Sequence, residues 1–204
     1  GAFFFSFYGQ ANSISSSFGT DPQYHQYVYH NIAENLVHDF AINGPEYRNG
    51  PRSANRAMRT PYNDLSDWIH EGWARAQEMD RFGEAIVHCC GEVMNTDFQA
   101  GKHDQYVDNL KKWLGAKRLT PLPDITRTNR DKFGAKVHVQ IWCVVDFLRR
   151  RDPLAFPRLI ARAKIISQEL NDEKEGFTRA LKEVYDLTPM GLEEAWRADL
   201  LQQR

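Results

Sequence analysis

Cysteine is scarce: the 204 residues hold three, Cys89, Cys90 and Cys143. An odd count with two adjacent members excludes a disulfide framework and leaves at most one bridge, through Cys143. An excess of either charge is lacking as well. Lys and Arg number 26 against 27 Asp and Glu, for a net charge of -1. A dedicated nucleic-acid binder needs clustered cations, so that class is not expected. Long apolar runs are missing too. Residues 1–20 carry no charge, but Ser, Gln, Asn and Gly interrupt them and leave only 2–5 as a continuous apolar run. That is far short of the roughly 20 residues a membrane-spanning helix requires. No basic segment leading into an apolar stretch and a cleavage site is visible. The chain opens on Gly rather than Met, which reads as a processed chain or an expressed segment.

What is present suits a folded globular unit. Hydrophobic residues make up 42% and charged residues 26%, and twelve Phe, eight Tyr and five Trp supply large core side chains. The stretch 2–8 (AFFFSFY) reads as a buried or paired strand, because exposed it would aggregate. From Pro22 onward the periodicity is helical. Val28, Ile32, Leu36 and Phe40 recur every four residues and predict a helix over 22–42, ended by Asn43-Gly44-Pro45. A polar loop over 43–60 follows. A second helix is expected over 64–80, with Leu65, Trp68, Ile69 and Trp73 buried. Further helices are expected over 84–94 and 104–114. Residues 115–133 read as a long loop, and four helices over 134–150, 153–170, 174–185 and 188–201 finish the chain. The expectation is a mainly α protein with a little strand at its N-terminal end: residues 1–20 as a strand segment of the same domain, and 21–204 as a helical domain.

Two segments carry chemistry. On a helix turning about 100° per residue, His30, Glu34 and His38 form one row, across from the apolar row. An i, i+4 pair of metal-capable side chains can chelate one ion. His30 and His38 cannot share one directly, because eight residues rise about 12 Å. The second segment is Asp67-Trp68-Ile69-His70-Glu71-Gly72-Trp73-Ala74. Taken alone, the first row reads as a polar helix edge in which Glu34 pairs with a histidine, and Glu71 as a cap or salt-bridge partner.

The string Trp68-Ile69-His70-Glu71-Gly72-Trp73-Ala74, some tens of residues after a histidine-bearing helix, resembles the third-ligand helix of gluzincin metallopeptidases. His138-Val139-Gln140-Ile141-Trp142-Cys143-Val144-Val145-Asp146-Phe147-Leu148 is similar to a helix of the bacterial peptidase MA-like branch. Phe177 to Tyr185 and Leu192 to Arg197 resemble that branch's helical ending. The resemblance covers about residues 27–201 and implies a zincin-like helical fold of bacterial, secreted or cell-envelope type. In that family H-E-x-x-H supplies two ligands and a catalytic Glu, and a Glu on the next helix supplies the third ligand.

Here H-E-x-x-H has become H-N-x-x-E. The resemblance therefore implies a metal set of His30, Glu34 and Glu71, for zinc or another divalent ion, with Asn31 in the general-base position. Two carboxylates shift the preference towards harder ions. Asn31 cannot accept a proton, and losing a general base costs about 10²–10⁴-fold in rate. An alternative register, with Glu34 as the catalytic Glu, loses both first-motif ligands. His138 stands where the resembling helix carries Tyr and is a candidate oxyanion donor, or else a core histidine. His70 is expected at the surface or behind the ligands, and His88-Cys89-Cys90 in packing. The implied function is a catalytically impaired peptidase-like domain that binds a peptide, glycan or protein. The alternative is a metal-dependent hydrolase using His30, Glu34 and Glu71.

Overall fold

The computed structural model of the chain describes residues 26, 29, 30, 32–34, 65–86, 100–129 and 132–203. The expected strand over 2–8, the loop over 43–60, and His38, Asn31, His88, Cys89 and Cys90 lie outside the described residues. What is described is mainly helical, with a two-stranded sheet. Residues 26, 29, 30 and 32–34 are helical, as the spacing over 22–42 predicts.

Helix α1 (Asp67–Phe82) follows and ends at Gly83, whose φ of 74° lies in the left-handed region. A side chain there would be strained, and the conformation lets the Gly83 N–H donate to the Met79 carbonyl at 2.9 Å. The chain then turns directly into β1 (Glu84–Ile86), antiparallel to β2 (Ala100–Lys102), with Ala85 opposite Gly101. This corrects the expected helix over 84–94, whose first three residues are strand. The apolar alternation there is too short to separate the two periods, and what decides it is a partner strand that lies fourteen or more residues away.

After β2 come α2 (His103–Gly115), α3 (Leu122–Ile125), α4 (Ala135–Arg151), α5 (Ala155–Leu170), α6 (Glu173–Tyr185) and α7 (Pro189–Gln202). The short α3 corrects the reading of 115–133 as loop throughout. Pro123 suits a first turn, where its missing N–H has no intrahelical role, and Leu122 and Ile125 are buried. Local chemistry sets the other boundaries. The Asp172 carboxylate accepts from the N–H groups of Lys174 and Glu175 at the start of α6. Thr188 Oγ1 accepts from Gly191 N–H ahead of α7, with Pro189 leading the helix.

The core lies between α1, α4 and the later helices. Trp68, Trp142 and Trp196 are almost wholly buried, and Trp73 and Trp113 pack partly buried against the same cluster. Trp68 meets Phe177 edge-on at 5.0 Å, and Trp196 Nε1 donates to Cys143 Sγ at 3.2 Å. The contact that matters for the site is α1 against α4. A Cβ on Gly72 would lie 2.6 Å from Val145 Cγ2 and 2.7 Å from the Ile141 carbonyl oxygen. Only a residue without one allows this approach, and it draws Glu71, one residue earlier, towards His138 of α4.

Candidate metal centre

The helical residues around His30 are tied to the end of α1 and the start of β1. Gln26 Nε2 donates to the Glu84 carbonyl at 3.0 Å, and the Tyr29 ring meets Phe82 edge-on at 5.3 Å. These contacts lay His30 and Glu34 over the face of α1 that carries Glu71, Arg75 and Glu78. That face follows from spacing: positions i, i+4 and i+7 fall in one helical row. His30, Glu71, Arg75 and Glu78 have no exposed surface, and Glu34 keeps 4%.

One donor atom each from His30, Glu34 and Glu71 lies within 4.8 Å of the other two. Two ligands about 2.1 Å from a tetrahedral ion stand roughly 3.4 Å apart. His30 Nε2 and Glu71 Oε2, at 3.7 Å, are near that spacing and too far apart for a hydrogen bond. Among the described residues Nε2 has no hydrogen-bond partner although it is wholly buried. The other ring nitrogen, Nδ1, is hydrogen-bonded to Glu78 Oε1. In the neutral ring Nδ1 then carries the proton, and the Nε2 lone pair is turned towards Glu71 and available to a cation. The donor set, one imidazole and two carboxylates, is one that zinc accepts. Their chemistry and spacing make the three a geometric possibility for a divalent ion.

Glu71 Oε2 is also held by Arg75, whose Nη1 lies 2.5 Å away and which reaches the Glu71 carbonyl at 3.3 Å. The salt-bridge role expected of Glu71 is thus present alongside its place in the donor group. His138 Nδ1 lies 3.8 Å from the same oxygen, so the oxyanion candidate joins this cluster, its ring edge-on to Phe133 at 5.8 Å. His70 is buried rather than at the surface.

Electrostatics follow from burial and pairing. Burial alone would strip the proton from His30, but Glu71 and Glu78 overcome it and push the imidazole up to about 9. Burial works against the Glu71 charge as well. Arg75, His30 and His138 outweigh it and hold that carboxyl well below the usual range. Among the described residues, the acidic side chains of Glu34, Glu71 and Glu78 and the Arg75 guanidinium are buried together around His30. A divalent cation bound there would add to the positive charge that Arg75 supplies to Glu71.

The sequence reading missed Arg75 and Glu78. Their signal was the row 71, 75, 78, three charged residues at helical spacing on a helix that also carries Trp68, Ile69 and Met79. Charged rows of that kind usually face water, and only the chain packed over this one makes it interior. No family model, no curated protein and no solved structure matches the chain.

Proposed function

We propose that the chain is a gluzincin-like domain that holds a divalent cation between His30, Glu34 and Glu71 and acts by binding a peptide, glycan or protein rather than by cleaving it. The observation that carries this reading is the convergence of those three side chains from two distant segments into one buried group. Two further features support the loss of cleavage. Asn31 follows His30 where the resembling family has its general base. The donor group also has almost no exposed surface, whereas catalytic zinc keeps a position open to water or substrate. When bound, the cation would neutralise the carboxylates and, in a hydrolytic site, polarise a water. His30, Glu34 and Glu71 would hold it, with Arg75 paired to Oε2 of Glu71, the same oxygen that faces His30.

A second reading, a metal-dependent hydrolase, is favoured by one detail. Three donors leave a fourth position on a tetrahedral ion, and His138 lies 3.8 Å from Glu71. Calorimetric titration of the chelator-treated protein with zinc, alongside turnover of a generic fluorogenic peptide, separates the two. Binding that His30→Ala abolishes, with no turnover, supports the first. Chelator-sensitive turnover lost in His30→Ala would establish the second, and absence of metal binding would end both.

A further inference from the structure

We infer that Glu78 is a positioning residue for the metal centre, holding the His30 ring so that Nε2, and not Nδ1, is the atom offered to the cation. The inference rests on the metal reading above and adds to it a residue that contributes no ligand atom to the group. Three observations carry it. Glu78 Oε1 is hydrogen-bonded to His30 Nδ1 with both side chains wholly buried. Nε2, across the same ring, lies 3.7 Å from Glu71 Oε2 and has no hydrogen-bond partner among the described residues. Glu71 and Glu78 stand two turns apart on α1, so one rigid helix supplies a ligand and also orients the ligand contributed by another segment.

The chemistry is that of a buried imidazole. Its two nitrogens are alternative ligands, and a free ring can turn either one to an ion. A carboxylate on Nδ1 removes that freedom, fixes the tautomer and raises the basicity of Nε2. Glu78 also brings a negative charge near the site without occupying a coordination position. The distance along α1 separates its role from that of Glu71, which reaches the ion's side of the ring.

The test uses the full chain with cobalt(II) or zinc as probe and two substitutions. Glu78→Leu removes the acceptor, and Glu78→Gln keeps an acceptor oxygen while removing the charge. Loss of an outer partner of this kind weakens metal binding by about 10–100-fold. The expected result is a fall of that size in Glu78→Leu and a smaller one in Glu78→Gln, with an altered cobalt visible spectrum in Glu78→Leu. Near-UV circular dichroism verifies that each variant is folded. A second readout needs no metal: a downfield, slowly exchanging imidazole N–H proton resonance, expected in the wild type and absent from both His30→Gln and Glu78→Leu. If that resonance is missing from the wild type, the Glu78–His30 bond is wrong and the inference falls whatever the metal does. If the resonance is present and metal binds equally well to wild type and Glu78→Leu, Glu78 is only structural. If the resonance is present and the wild type binds no metal, the metal reading fails and the positioning role fails with it.

Discussion

Arg75 sits where its guanidinium neutralises one of three buried carboxylates, at 2.5 Å from Glu71. Removing one member of a buried pair costs about 3–5 kcal/mol, because the other charge stays behind unpaired. Arg75→Met is therefore expected to lower the free energy of unfolding by about 3 kcal/mol in urea denaturation. Zinc should restore more stability to this variant than to the wild type, since a divalent ion supplies the missing positive charge. An equal zinc effect in both proteins would show that Arg75 and the cation do not share Glu71. Cys143 offers a residue-scale check of the core. Burial pushes its thiol up to about 12, against the weaker opposing pull of the Trp196 hydrogen bond. The thiolate is the reactive form. In a Cys89→Ser, Cys90→Ser background, Cys143 should resist alkylation at pH 8 until the protein unfolds. Rapid labelling of the native protein would mean that this part of the core opens readily.

At the scale of elements, the α1–α4 contact governs how close Glu71 comes to His138. Gly72→Ala places a methyl group against Val145 Cγ2 and the Ile141 carbonyl, and backbone cannot yield as a flexible side chain can. Overpacking of this kind costs about 1–3 kcal/mol. It also separates the two helices, so metal affinity should fall together with stability. A variant that keeps full stability and affinity would show that α1 and α4 do not meet as described. The strand β1 shows the limit of local reading. Glu84-Ala85-Ile86 has no pattern that distinguishes it from a helical turn, and pairing with 100–102 settles the matter. Tyr106 adds to that pairing from α2, its hydroxyl donating to the Ala85 carbonyl at 3.0 Å.

For the molecule as a whole, the proposed ancestry of the site can be tested by restoring it. Asn31→Glu with Glu34→His rebuilds H-E-x-x-H at His30, with Glu71 in the third-ligand position. Two imidazoles and one carboxylate match a common catalytic zinc set. The double variant is expected to bind zinc more tightly than the parent by calorimetry at neutral pH. Peptidase activity is a stricter demand, because an oxyanion donor and an open substrate path are needed as well. Affinity no better than the parent's would mean that the backbone does not present these positions to one ion.

Composition and periodicity by themselves determined that the described residues are mainly helical, and placed the ends of the later helices to within two residues. Those properties reside in short stretches: a Pro after a Thr at 188–189, and apolar residues every three or four positions. The same reading named His30, Glu34 and Glu71 from their spacing and a family resemblance. Only the tertiary structure decided that the three meet, since His30 and Glu71 are 41 residues apart and nothing local states their distance. It also decided that the 71, 75, 78 row is interior. A charged helical face is identical in sequence whether water or another helix covers it, and here the chain bearing His30 lies over it. Burial then converts an ordinary charged row into a cluster in which every carboxylate must find a cation, a proton or a metal.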